Sequence, residues 1–156
     1  MKVIKGKTTG KGKKIGIVVA RFNEYITERL LDGCLKELDR LGVSRNNITI
    51  IWVPGSYEIP VTALKMAKKS SIHAVICLGA VIRGETTHYD YIAQGAARGI
   101  AQASLTTGKP VVFGVLTTET VDQAYKRSDE KGDHKGVNAA VTALEMIDVL
   151  SRLSKK

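Results

Sequence analysis

Cysteine, histidine and long apolar runs are all scarce in this 156-residue sequence, and each scarcity excludes something. The two cysteines, Cys34 and Cys77, sit inside apolar stretches, which reads as buried free thiols in a reducing compartment and not as a disulfide framework. A domain of this length buries roughly 70 percent of its unfolded surface, so one core holds it without staples. The three histidines, His73, His88 and His134, are far apart in sequence and lack partner cysteines, so no metal site is expected. No apolar run approaches the ~20 residues a bilayer span requires, and the lysine-rich start lacks the apolar stretch of a signal peptide. The expected location is the cytoplasm. Neither a GxGxxG nor a GxxxxGK(S/T) loop is present to cradle nucleotide phosphates, and no Ser-His-acid set is evident from spacing.

What is abundant is positive charge, with a net of +9. It lies at the ends. Residues 1–14 carry six lysines and no acid, and residues 151–156 add Arg152, Lys155 and Lys156, so residues 15–150 balance 15 basic against 15 acidic side chains. Neither end has an aromatic residue to stack on a base, so both read as solvated ends and no nucleic acid is expected as a partner.

Between those ends, apolar runs alternate with segments of helical spacing. Ile15 to Ala20 reads as a strand buried on both faces. Thr27 to Leu41 is an amphipathic helix that stops at Gly42. The spacing predicts further strands at Ile48 to Val53, Ala74 to Ile82 and Pro110 to Leu116. It predicts helices at Glu58 to Lys69, His88 to Ser104, Val121 to Arg127 and Gly136 to Leu153. Pro60 is tolerable only because it falls in a first turn. Strands alternating with helices over short links imply parallel crossovers. The fold class expected is a three-layer α/β/α sandwich of flavodoxin type with a four-stranded parallel sheet, in a single domain over 15–156. The basic segment 1–14 is either a free tail or, through Lys2, Val3 and Ile4, an extra strand paired to the sheet edge of a neighbouring subunit.

In an open parallel sheet, ligands bind outside the carboxyl ends of the strands. Those ends carry Arg21-Phe22-Asn23, Pro54-Gly55-Ser56-Tyr57-Glu58, Arg83-Gly84-Glu85-Thr86-Thr87-His88 and Thr117-Thr118-Glu119. Polar groups, glycines and exposed rings together make a plausible small-molecule site, one that works by positioning and proton transfer.

These tips also carry a resemblance. Ala-Arg-Phe-Asn at 20–23, Val-Pro-Gly-Ser-Tyr-Glu-Ile-Pro at 53–60, Gly-Ala-Val-Ile-Arg-Gly-Glu-Thr-Thr-His-Tyr-Asp-Tyr at 79–91 and Phe-Gly-Val-Leu-Thr at 113–117 look like lumazine synthase. So do Lys-Gly at 135–136 and Ala-Leu-Glu-Met at 143–146. The resemblance spans residues 15–150. It implies a transferase of riboflavin biosynthesis that needs no cofactor and joins 5-amino-6-ribitylaminouracil to 3,4-dihydroxy-2-butanone 4-phosphate. It further implies a homo-oligomer, as pentamers and an icosahedral shell, with riboflavin synthase as a partner.

By the same resemblance, Phe22 stacks on the pyrimidine, while Ser56, Tyr57, Glu58 and the backbone of Ala80, Val81 and Ile82 position the uracil and its ribityl chain. Glu85 and Thr86 face the phosphate through their amides, and His88 moves protons. Phe113, Arg127 and Lys135 come from an adjacent subunit. One stretch departs from the family pattern, which is richer in glycine between 128 and 134 and often has an acid at the position of Asn138. Asp129, Glu130 and Asp133 weaken phosphate binding if they point inward. Two other readings compete: a riboflavin synthase of related fold, and a shell or scaffold protein that has lost catalysis.

Overall fold

The computed structural model describes residues 1–154; Lys155 and Lys156, two of the basic residues at the C-terminal end, lie outside the described residues. Four strands, β1 (Ile15–Ala20), β2 (Ile48–Val53), β3 (Ala74–Ile82) and β4 (Val111–Thr118), form one sheet in the order β2-β1-β3-β4. Every pairing is parallel. The intervening helices are α1 (Glu24–Arg40), α2 (Ile59–Ala67), α3 (His88–Thr107), α4 (Val121–Lys126) and α5 (Lys135–Leu153).

The central strands β1 and β3 lie between partners and under helices on both faces, which is why they are continuous apolar runs without alternation. Ile15, Ile17, Val19, Ile76 and Leu78 pack on Leu30, Cys34 and Leu38 of α1 and Leu144 of α5. On the opposite face Val18, Val75 and Cys77 meet Ile59 and Met66 of α2 and Ile100 of α3. Each such large aliphatic side chain sealed from water contributes roughly 1.5–3 kcal/mol. Both cysteines sit within these two layers, fully buried and unpaired. The result is the three-layer α/β/α, flavodoxin-like sandwich that the sequence predicts.

Boundaries differ where local chemistry overrides periodicity. α1 begins at Glu24, three residues before Thr27, because Asn23 adopts a left-handed conformation (φ 61°) and its carbonyl accepts from Ile26 N–H and Thr27 N–H. α2 starts at Ile59, just after a 3-10 turn over Ser56–Glu58, and ends at Ala67, two residues short of Lys69. α3 runs on to Thr107 and stops at Gly108, whose φ of 65° suits glycine. β4 starts after Pro110 and continues through Thr117 and Thr118, so those two threonines are strand residues and the tip beyond β4 begins at Glu119.

Residues 1–14 form no strand within the protomer. Nor is the second half of the segment detached. Lys7 N–H donates to the Asp148 carboxylate on α5 (2.9 Å), Gly10 N–H to the carbonyl of Leu41 (2.9 Å), and Lys14 N–H to His73 Nδ1 (2.9 Å). Gly6 lies so near α5 that a Cβ there would stand 2.4 Å from the Glu145 carbonyl oxygen. Among the described residues no helix is long and apolar enough to cross a membrane.

Candidate active site

The strand order reverses between β1 and β3, so a crevice opens at their carboxyl ends. Asn23 bridges it, donating from Nδ2 to the carbonyl of Ala80 (2.8 Å). Arg21 N–H and Phe22 N–H donate to the carbonyls of Val53 and Pro54 (2.8 and 3.0 Å), and the buried Thr27 hydroxyl donates to the carbonyl of Ala20 (2.8 Å). These bonds fix the turn, while the Phe22 ring itself is 70% exposed. A bare aromatic face of that size can take a flat heterocycle.

Beside Phe22, a cleft of about 360 Å³ is lined by Gly55, Ser56, Tyr57, Glu58, Ala80, Val81, Ile82, His88 and Ile92. Ser56 is buried against Gly79, where a Cβ would fall 2.6 Å from its hydroxyl oxygen. Tyr57 leans on Gly95 of α3, where a Cβ would meet its ring at 2.9 Å. The turn between β3 and α3 is tied by Arg83. Its guanidinium donates to Glu119 (2.7 Å) and forks onto Asp90 (3.1 and 3.3 Å), and it lies 4.3 Å from the centroid of the Tyr89 ring. Glu85 and Thr86 are exposed in that turn, outside the cleft lining, and Thr86 Oγ1 accepts from His88 N–H (3.3 Å).

Phe113, Arg127 and Lys135 lie elsewhere. They line a second, larger cleft of about 790 Å³ between α3, the edge strand β4 and α5. Phe113 pairs with Cys77, three residues short of Ala80, the nearest strand residue of the first cleft, and therefore roughly 10 Å down the sheet from it. The candidate residues thus fall into two groups within one protomer.

Loop 127–134 is anchored to α1 through Arg29. Its guanidinium reaches Ser128 Oγ (3.4 Å) and Asp129 (3.8 Å) and lies 5.5 Å from the Tyr125 ring centroid. Glu130 pairs with Lys36 (2.6 Å). Both acids are therefore held toward α1 and do not line the second cleft. Asp133 binds the Lys135 ammonium and accepts from Asn138 Nδ2 (2.6 Å). Asn138 lines the cleft, a position to which sequence spacing attached no role.

His134 closes the loop as a buried cap. Its Nδ1 accepts from Gly136 N–H (3.1 Å) and Val137 N–H (3.4 Å) at the start of α5. Burial pushes its pKa below the ordinary 6.5, a shift only partly opposed by a hydrogen bond to the Arg29 backbone. His73 is shifted the same way, chiefly by burial and then by Lys13. A histidine that resists protonation when folded binds fewer protons than the unfolded chain, so its stabilisation is complete above 6.5 and is lost as pH falls from there through the lower folded value. The melting temperature at fixed concentration is expected to drop between pH 7 and pH 5. His134→Asn, which keeps a capping oxygen but removes the titration, should make the slope shallower. An unchanged slope would refute the contribution of His134.

Ile92 and Arg29 are structural supports that spacing missed, and Asn23 and Arg83, present at the strand tips, were given no supporting role by it. Asn23 alone carried a signal, since asparagine tolerates φ > 0 at a strand-to-helix junction. No group of three or more metal-ligating side chains comes together among the described residues. What the first cleft offers is an exposed ring, a polar turn, strand-end backbone groups and one imidazole, while the second offers two cations beside apolar walls. A family model described as 6,7-dimethyl-8-ribityllumazine synthase matches residues 12–151. The match covers nearly the whole chain, which belongs to the lumazine synthase family.

Proposed function

We propose that this chain condenses 5-amino-6-ribitylaminouracil with 3,4-dihydroxy-2-butanone 4-phosphate to 6,7-dimethyl-8-ribityllumazine, releasing phosphate and water in the penultimate step of riboflavin biosynthesis. The observation that carries the reading is the first cleft, which gathers Phe22, Ser56–Glu58, the Ala80–Ile82 backbone and His88 at the switch point of the sheet. Phe22 stacks on the pyrimidine. Ser56, Tyr57 and Glu58 accept and donate to the uracil and the ribityl hydroxyls, and the Glu85 and Thr86 amides face the phosphate.

The amine attacks the ketone, the carbinolamine loses water, phosphate departs, and the second amine closes the ring on the remaining carbonyl with loss of a second water. Each step moves a proton, and His88 is the imidazole in the cleft that can carry it. Amine and ketone react readily without help, so most of the acceleration comes from holding them together.

The second cleft supplies Phe113, Arg127 and Lys135 to the first cleft of the next subunit. Identical chains in head-to-tail contact close into rings. The ring here is a pentamer, and rings assemble into a closed shell; the Lys2–Ile4 stretch adds to a neighbour's β2 edge. Riboflavin synthase, which consumes the product, is the partner enzyme.

Mixing the protein with the two substrates and recording lumazine absorbance tests the reading. A rate well above that of the uncatalysed mixture is expected. A rate equal to it would leave only a scaffold role.

A further inference from the structure

The acids of loop 128–134 are not equivalent. Asp129 and Glu130 are engaged by Arg29 and Lys36 of α1 and point away from the second cleft. Asp133 is different: it is not itself in the cleft lining, but both of its partners, Lys135 and Asn138, are. One carboxylate oxygen takes the Lys135 ammonium and the other takes the Asn138 amide, so the pair is held from two sides. The Asp133 carboxyl is kept below the usual range, first by Lys135 and then by Asn138, and so stays ionised.

Arg127 stands in contrast. Its guanidinium donates from Nη1 to the carbonyl of Gln123 (3.2 Å), and among the described residues it forms no ion pair. Of the two cations lining the cleft, one is neutralised within its own loop and the other keeps most of its five donors for a ligand.

We propose that Asp133 sets the anion affinity of this cleft: by occupying Lys135 it leaves Arg127 as the working phosphate contact, and an arriving phosphate must displace a carboxylate to gain the lysine. Asn138 is the positioning residue that keeps Asp133 in place. The inference rests on the reading that this cleft takes a phosphate group. It accounts for a loop that carries three acids beside an anion site, because two face elsewhere and the third lowers affinity. A moderate affinity suits a site that must release inorganic phosphate after each turnover.

The test is titration of inorganic phosphate into the full-length assembled protein, followed by calorimetry at fixed ionic strength. Asp133→Asn removes the charge and keeps the shape, and Asp133 is exposed, so folding is preserved. Removing one neighbouring negative charge is expected to tighten phosphate binding by roughly three- to tenfold. Lys135→Gln should weaken binding less than about twofold in the parent but by about threefold or more in the Asp133→Asn background, a non-additive cycle. Arg127→Ala should weaken it strongly in both.

Phosphate affinity unchanged by Asp133→Asn, or an equal loss from Lys135→Gln in both backgrounds, would overturn the role of Asp133 while leaving the phosphate site intact. No phosphate binding to any variant, Arg127 intact, would overturn the phosphate reading of the cleft and this proposal with it. Lumazine formation, measured separately, reports on the overall reaction.

Discussion

Chains carrying His88→Ala and chains carrying Arg127→Ala, refolded together in equal amounts, are expected to recover about a quarter of the parental activity although each is nearly inactive alone. His88→Ala by itself should slow turnover by one to two orders of magnitude, since positioned proton transfer contributes ~10²-fold or more. It should barely change affinity for the uracil, which on the proposed reading is held by Phe22 and Ser56–Glu58. On the proposed reading, Arg127→Ala removes the guanidinium that pairs with phosphate, and the loss is expected in kcat/KM for the phosphorylated substrate. The recovery follows from where the residues lie. His88 lines the first cleft and Arg127 the second, on different flanks of the same sheet. In a head-to-tail ring, an intact first cleft meets an intact second cleft in roughly one contact of four under random mixing. If verified mixed rings recover nothing, both residues act within one chain and the shared site is refuted.

Gly136→Ala is expected to cost about 3 kcal/mol or more of folding stability. Gly136 is at the second position of α5, where α5 crosses α1 so closely that a Cβ would lie 2.0 Å from the carbonyl oxygen of Leu30 and 2.8 Å from its carbon. Those are backbone atoms of a helix packed on the core, so relief requires moving α1 or α5 as a whole. Gly33 on the facing helix is also closely approached, but by a side chain: a Cβ there would stand 2.3 Å from the His134 ring. Overpacking against rigid neighbours costs typically ~1–3 kcal/mol and sometimes more. For a chain of this size that lowers the melting temperature by roughly 6–12 °C. Gly84→Ala is the control: a Cβ there meets nothing within 4 Å and its φ is not in the left-handed region. A Gly136→Ala protein as stable as the control would show that the α1–α5 crossing yields easily.

The layers and the parallel sheet were legible because buried parallel strands leave continuous apolar runs, as in Ile15–Ala20 and Ala74–Ile82. The first cleft was legible in part for a topological reason: carboxyl-end tips converge whatever their side chains do. Side-chain direction was not. Nothing in the spacing of Asp129, Glu130 and Asp133 tells that two turn to α1 and one to Lys135, because that choice depends on Arg29 and Lys36, roughly a hundred residues earlier in the chain. The start of α1 was hidden for a similar reason, resting on the backbone of one asparagine and not on any stripe. His134 read as an ordinary loop residue, yet it is a cap at a helix crossing, a role visible only once α1 and α5 are adjacent.

The sealed thiols have a practical use. Cys34 and Cys77 are both inaccessible, and burial pushes Cys34 up to about 12 and raises Cys77 as well. Only a thiolate attacks an alkylating reagent, so neither native sulfur competes at neutral pH. A single cysteine placed on the surface would then be the one site that takes a dye. Donor dye on one chain type and acceptor dye on the other would let energy transfer report the composition of each ring before its turnover is counted.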